Sequence, residues 1–341
     1  MNVLITGGAG FIAHHVIDHI LKTTDWNITT LDRLDESGNL NRLHDVLKQH
    51  NPENCKRHRT VFHDLKAALN SQIRADIGDI DIVLHLAAGS HVDRSITHPM
   101  EFVQDNVIGT VNLLNWARKL PNLKKFVYFS TDEIFGVAPP GVSYKEYDRY
   151  NSTNPYSASK AAAEEFCVAY ENTYNMPMYI THTMNVFGQR QHPEKFIPGT
   201  IQRVRDGDKV TIHADASKTK AGSRMYIHAS DVAEGLMFIL NLENYTHTGD
   251  FGWAKCPKFN LVGTEEIDNL TLAKMISTAV GKELNYEMVD FHTSRPGHDL
   301  RYALSGDLLK SLGWEPRIKL SDRIKETVDW TLANDRWLRK S

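Results

Sequence analysis

Cysteine is scarce in this chain. Three in 341 residues, Cys55, Cys167 and Cys256, are scattered and odd in number, which excludes a disulfide framework and a CxxC metal clip. Long apolar runs are absent too, none approaching the ~18 residues of a membrane span. The first residues lack the basic, apolar and small-residue pattern of a secretory leader, so none is expected. Nor does one sign of charge dominate. With 39 Lys+Arg against 42 Asp+Glu the formal net charge is -3, leaving no global field to attract a nucleic acid backbone or an anionic membrane. The composition fits a reducing, cytoplasmic setting with neither nucleic acid nor membrane as partner. What is present is apolar material, 41% of residues beside 24% charged, enough for a large core. At ~150 residues per domain the length suits two domains, or one α/β core with an added lobe.

The first half alternates short apolar runs with amphipathic stretches. Strands are predicted at Asn2–Thr6, Asn27–Leu31, Arg59–His63, Ile82–Leu86, Lys125–Ser130 and Met178–Thr183. Helices are predicted between them, at Ala9–Lys22, Asn39–Lys48, Ala67–Ala75, Met100–Lys119 and Ser157–Tyr174. That order implies an α/β fold with a doubly wound parallel sheet. After Phe187 the alternation lapses into short strands, polar loops and helices near Ala229–Asn241 and Leu270–Val280. The expected division is therefore 1–186, carrying the cofactor and catalytic residues, and 187–341, a smaller mixed α/β lobe, with about 224–260 returning to the first unit. The polar stretch His213–Ser223 reads as a mobile loop, either a lid or a surface insertion.

Thr6-Gly7-Gly8-Ala9-Gly10-Phe11-Ile12-Ala13 follows the first strand and opens a helix, the setting in which N-terminal N–H groups receive a pyrophosphate. Gly7 and Gly10 permit close backbone approach, and Phe11 and Ile12 start the helix. Asp32 ends the second strand, where a carboxylate accepts from both hydroxyls of an adenosine ribose and repels a 2′-phosphate. Arg33 beside it weakens that preference for NAD over NADP. Asp64 and Leu65, past the third strand, would flank the adenine, although an Asp there also serves as a cap.

Tyr156 and Lys160 are four residues apart on a predicted helix, hence on one face. A nearby ammonium favours the phenolate of a tyrosine, making the pair suited to proton abstraction. Ser130-Thr131-Asp132-Glu133 ends an apolar run at the carboxyl edge of the predicted sheet, where α/β folds present reactive groups. Two adjacent carboxyl groups divide the work of acid and base when their environments push their pKa values apart. Their structural alternative is an acidic helix start.

Together with LHLAAGSHVDRSI (84–96), STDEIFG (130–136), NPYSASKAAA (154–163), PEKFIP (193–198) and RPGHDLRY (295–302), these motifs resemble the extended short-chain dehydrogenase/reductase superfamily. Within it the chain is similar to the nucleotide-sugar 4,6-dehydratases, above all those acting on dTDP-glucose, and the likeness runs nearly end to end. It implies a Rossmann-type fold, tightly bound NAD regenerated each cycle, and a hydro-lyase reaction on a nucleoside diphosphate sugar. Tyr156 and Lys160 would both also contact the cofactor, Lys160 by hydrogen-bonding the nicotinamide ribose, and Tyr156, activated by Lys160, would deprotonate the sugar 4-hydroxyl as C4 is oxidised, with Thr131 bonding the reacting oxygen. Glu133 would then remove the C5 proton, Asp132 would protonate the departing 6-hydroxyl, and hydride would return to C6. Ala87 would join the cofactor contacts. Ser90, Asp93, Arg94, Asn185, Glu194, Lys195, Arg224, Asn260, Arg295 and His298 would hold the substrate. Asp93 and Arg94 read equally well as a structural pair, and Asn185 and Asn260 as ordinary loop residues.

Gly89, Met184 and the stretch Ser223–Asp231 depart from the family's usual residues on the substrate side. They leave GDP-mannose, CDP-glucose and UDP-sugars open as substrates, and with them a same-fold epimerase or decarboxylase. No metal is expected, since His15 and His19 have zinc-like spacing but no third ligand nearby. Apolar stripes on two helices, Phe102, Val103, Val107, Val111 and Leu114 on one and Phe166, Ala169 and Tyr170 on the other, read as intramolecular core. By the family resemblance they are a homodimer face.

Overall fold

The computed structural model describes residues 1–243, 245–248, 254–290 and 301–339. Its centre is a seven-stranded parallel sheet of β1 (Asn2–Thr6), β2 (Asn27–Asp32), β3 (His58–Phe62), β4 (Ile82–His85), β5 (Lys125–Thr131), β6 (Met178–Thr183) and β7 (Lys258–Leu261), ordered β7-β6-β5-β4-β1-β2-β3. The order reverses between β1 and β4, and in such sheets a ligand sits beyond the strand carboxyl ends at that switch point. The inner strands β1, β4, β5 and β6 are buried almost throughout because both faces are covered, whereas the edge strand β3 is largely accessible. Val3, Ile5, Leu84 and Val127 pack on one side with Val16, Ile17 and Ile20 of α1 (Phe11–Thr23), while Leu4, Val83, Phe126 and Tyr128 pack on the other with Leu113, Leu114 and Ala163.

The chain returns to this unit after Phe187: β7 pairs with β6, and the Ala229–Asn241 helix packs on α1. Three longer helices, Phe196–Asp206, Asn269–Val280 and Leu320–Ala333, gather around Phe187, Ile201, Leu272, Ile276, Ile324 and Val328. Strands Val210–Ala214 and Tyr286–Asp290 pair in parallel beside them. The polar stretch expected as a mobile loop is a short turn between Val210–Ala214 and Ser223–Met225, ordered by Asp215, whose Oδ1 accepts the N–H groups of Thr219 and Lys220 at 2.9 and 3.0 Å.

The expected continuous helix over 100–119 is three pieces, Pro99–Phe102, a π-turn at Val103–Ile108, and Gly109–Ala117. Apolar periodicity does not distinguish π from α winding. The buried Asn106 marks the widened turn. Its side chain accepts the Gly89 N–H at 2.8 Å and donates to the Gly89 carbonyl at 3.1 Å and to Ser159 Oγ at 2.8 Å. Thr110 Oγ1 donates to the Asn106 carbonyl at 2.5 Å, taking an acceptor that a regular helix would use. Among the described residues no helix is long and apolar enough to cross a membrane, and no group of three or more His, Cys, Asp or Glu is arranged to hold a metal ion.

Candidate active site

At the end of β1 the backbone reverses through Gly7 at φ 69°, where a Cβ would stand 2.9 Å from the Cα of Ala87. A Cβ on Gly8 would meet Thr30 Cβ at 2.3 Å, so these two positions accept only glycine. Gly10 caps α1 without a side-chain acceptor for the first-turn N–H groups. Those donors, with the positive end of the helix dipole, suit a diphosphate. Asp32, 8% exposed, accepts from the N–H of Ala9 at 2.9 Å and of Leu34 at 2.7 Å. A carboxylate offers about four acceptor positions, so two remain for vicinal hydroxyls. Loop, helix start and acid together fit a dinucleotide.

The loop is braced from behind by Arg42, which pattern reading missed because nothing in its neighbourhood marks it. It is 4% exposed, and its guanidinium donates to the carbonyls of Ala9 at 3.1 Å, Ser37 at 2.7 Å and Arg190 at 3.1 Å. Leu65 lies against Gly109, and its carbonyl accepts from Asn112 at 2.8 Å. Asp64 accepts the N–H of Lys66 at 2.9 Å, and the Ala87 N–H donates to Thr6 Oγ1 at 3.1 Å.

The acid pair stands where β5 gives way to a 3-10 turn over Asp132–Phe135. Gly136, at φ 76°, ends the turn, and a Cβ there would lie 2.3 Å from the Asn151 carbonyl. The Thr131 hydroxyl donates to Asp132 Oδ1 at 3.1 Å and accepts the Glu133 N–H at 3.4 Å. Asp132 is buried, and burial together with the Glu133 charge pushes its pKa up to about 7, against the opposing pull of Thr131 and Arg224. Burial and the neighbouring charge thus let Asp132 hold a proton to a far higher pH than an ordinary carboxyl does.

Tyr156 and Lys160 enter on the Pro155–Tyr174 helix, which starts with a proline and a reciprocal Asn154–Ser157 capping box. The Tyr156 N–H donates to Ser95 Oγ at 3.1 Å, and its ring packs edge-on against Phe102. Thr131 lies close enough to the phenol to oppose the upward shift of its pKa, so the acid turn and the helix meet here. The expectation that Lys160 lowers the phenol's pKa needs correction. Burial and the Glu133 charge push it up, and the Lys160 ammonium donates to the Phe129 carbonyl at 2.7 Å and lies 4.2 Å over the Tyr128 ring. Burial brings the Lys160 pKa down to about 8.

The expected substrate residues divide into groups. Arg224 lies near enough to Asp132 to lower its pKa and stacks 4.8 Å over Tyr302. Asn185 is exposed, donating to the Met225 carbonyl at 3.4 Å. Glu194 is half exposed, 3.7 Å from His91 and 3.8 Å from Lys195, which caps the Phe196–Asp206 helix. Ser90 is exposed and Asp93 partly so, at the start of the Val92–Thr97 helix. Arg94 points to Glu36 at 2.7 Å and Glu101 at 2.9 Å, a cation already paired.

The structure does not bring Asn260 to the site. Fully buried in β7, it donates to the carbonyls of Tyr144 and Ser305 at 3.1 and 3.0 Å while its Oδ1 meets His182 Nδ1 at 2.9 Å. A polar residue at a strand end looks like a ligand-facing one in sequence, but here it satisfies buried backbone. Arg295 and His298 lie outside the described residues.

A family model described as GDP-mannose 4,6 dehydratase matches residues 4–327. The low-salt glycan biosynthesis protein Agl12 of Haloferax volcanii is 36% identical over 98% of the chain and 100% of its own length. A dTDP-D-glucose 4,6-dehydratase of Mus musculus is 35% identical over 97% of the chain and 89% of its own. Among solved structures, a dTDP-glucose 4,6-dehydratase from Streptomyces venezuelae with NAD bound superposes with a TM-score of 0.83 at 31% identity, covering 99% of this chain and 98% of that one.

Proposed function

Since the chain belongs to the GDP-mannose 4,6-dehydratase family, we propose that it is a hydro-lyase that uses NAD to turn dTDP-glucose into a 4-keto-6-deoxy sugar nucleotide. The observation that carries this reading is the adjacent acid pair: a buried Asp132 whose pKa is raised to about 7 beside Glu133, whose Oε2 accepts from Asn154 Nδ2 at 2.9 Å. An epimerase has no need of that second acid, because its substrate loses no leaving group.

The cofactor would lie along Gly7, Gly10, Phe11 and Ile12 with its ribose on Asp32 and its adenine by Asp64 and Leu65; when bound, NAD supplies the acceptor and later donor of hydride. Tyr156 is the base for the proton of the sugar 4-hydroxyl, a role that needs the phenolate, which the positive charge of bound NAD would favour against burial and Glu133, and Thr131, close beside the phenol, orients that oxygen. Lys160 anchors the face of the helix that carries Tyr156 through the Phe129 carbonyl. Once C4 is a ketone, C5 is acidic. Glu133 removes the C5 proton, and Asp132 delivers its proton to the departing 6-hydroxyl, so one water leaves; as C6 is reduced, Glu133 returns a proton to C5, and Asp132 regains its own from solvent. Arg224, Lys195 and Asn185 are the candidate holders of the nucleoside diphosphate. The exposed apolar side chains Val103, Ile108 and Phe166 on two neighbouring helices are the proposed homodimer face.

The test is mass spectrometry of the purified protein incubated separately with dTDP-glucose, GDP-mannose, CDP-glucose and UDP-glucose. Loss of ~18 Da from dTDP-glucose is the expected result. Loss from another nucleotide sugar alone would keep the reaction and replace the substrate, and no loss from any would overturn the reading.

A further inference from the structure

A cation directly after the ribose acid of a dinucleotide site is a group that can receive the 2′-phosphate of NADP. Arg33 occupies that position here, yet its guanidinium is fully engaged. Nη1 and Nη2 donate to the two oxygens of Asp105 at 2.6 and 2.7 Å, a bidentate fork. Nε and Nη2 also donate to Asp35 Oδ2 at 3.1 and 2.7 Å, and Asp64 Oδ2 stands 3.6 Å away. Lys66 joins the group, 3.4 Å from Asp64 and 3.8 Å from Asp105. Asp32, Asp35, Asp64 and Asp105 thus outnumber Arg33 and Lys66 as charges.

The three acids around Arg33 are not equivalent. Asp35 and Asp64 have side chains 41% and 38% exposed, so their attraction is screened by water, whereas Asp105 is 14% exposed. Asp105 also belongs to the π-turn, near the loop that follows β4, since a Cβ on Gly89 would stand 3.6 Å from its Oδ2. The ion pair therefore reaches from the end of β2 toward the loop after β4. Between those strands lies β1, whose end carries the glycine loop.

We propose that Asp105 is a cofactor-selectivity residue, which holds Arg33 in a bidentate pair so that the site takes NAD and rejects NADP although a cation follows the ribose acid. The proposal rests on the dinucleotide reading above. A 2′-phosphate, carrying about -1.5 to -2 at pH 7, would enter a cluster with an excess of carboxylates and would have to displace the Asp105 fork before gaining any contact with Arg33. Removing the charge of Asp32 alone relieves one repulsion and leaves Arg33 locked. Removing Asp105 as well releases the guanidinium.

The experiment is calorimetric titration of nucleotide-free wild type, Asp105→Asn, Asp105→Glu, Asp32→Ser and the Asp32→Ser/Asp105→Asn double variant with NAD and with NADP. Asp105→Asn should shift the ratio of the two dissociation constants at least ~tenfold toward NADP, and Asp105→Glu, which keeps the carboxylate, should retain the wild-type ratio. The double variant should bind NADP at least ~tenfold more tightly than Asp32→Ser, and adding Arg33→Ala should remove that gain. Because the decisive result is a gained affinity, misfolding does not imitate it. The proposal is overturned if Asp32→Ser alone reaches the NADP affinity of the double variant, or if Asp105→Asn weakens both cofactors equally. Wild type that binds neither nucleotide would instead overturn the cofactor assignment of the preceding section.

Discussion

Asn154 Nδ2 donates to Glu133 Oε2 at 2.9 Å while Asn154 Oδ1 accepts the N–H of Ser157 at 2.8 Å. One side chain thus caps the helix that carries Tyr156 and orients the carboxylate assigned as base. The start of the helix and the position of the base are fixed by the same residue.

Replacing Asn154 by Asp separates the two duties. The cap acceptor survives, so stability should stay within about 1 kcal/mol of wild type, whereas Asn154→Ala should lose about 1 kcal/mol through the missing cap. The donor to Glu133 is gone in both, and a second carboxylate faces it in Asp. Turnover should fall roughly tenfold to hundredfold in Asn154→Asp, read from kcat beside a urea unfolding curve. Unchanged kcat would remove Asn154 from the positioning of Glu133.

Asp132 gives a pH limb of definite sign. Its folded pKa of about 7 lies above the ordinary carboxylate value, so the acid form that protonates the leaving hydroxyl is present below about pH 7 and lost above it. The rate should decline on the alkaline side from about pH 7. Asp132→Asn should abolish that limb, as a pH–rate profile would reveal. The same raised value makes ionised Asp132 unfavourable to folding, so wild-type stability should decline as pH rises from about 4 toward 7 relative to Asp132→Asn.

Oxidation and elimination should be separable. Tyr156→Phe removes one hydroxyl from a buried ring and should abolish the first step, a loss of at least ~100-fold in single-turnover cofactor reduction. The Asp132→Asn/Glu133→Gln pair leaves Tyr156 in place, so the absorbance of reduced cofactor should rise and persist without dehydrated product. Normal formation of the 6-deoxy product by this double variant would refute the acid and base assignment.

On the catalytic helix itself, Glu164 is fully buried, receiving Lys258 Nζ at 2.8 Å, His182 Nε2 at 3.1 Å and the Tyr150 hydroxyl. These cations and donors hold its pKa well below the usual carboxylate range despite burial. Glu164→Gln strands two buried donors and should cost about 3–5 kcal/mol in urea unfolding at pH 7. The depressed value fixes the sign of the pH effect. The stabilisation is present above the unfolded-state value of 4.5 and is lost as pH falls through the lower folded one, so wild type and variant should converge in acid.

What the sequence determined by itself is whatever lies close along the chain. The alternation of apolar strands and amphipathic helices dictates a doubly wound parallel sheet because each strand must be covered on both faces. The glycine loop, the helix it opens and the acid ending the next strand form one βαβ unit, and Tyr156 and Lys160 share a helix face by spacing alone. The Asp-Glu pair is legible for the same reason, being adjacent in the chain. Tertiary structure decided everything that depends on partners distant in sequence. Burial beside Glu133 made Asp132 the group that keeps a proton. Arg33, which in sequence weakens the preference for NAD, meets Asp105 across 72 residues and is paired there. Asn260, readable as a substrate ligand, is spent on His182, 78 residues away, and on buried carbonyls. Arg42 and Asn106 carry no signal in the chain, because a side chain that satisfies backbone groups of a remote loop leaves no periodic trace. Short-range patterns are written by local sterics and alternation, whereas proton affinity and ion-pair choice are set by what folding packs around each charge.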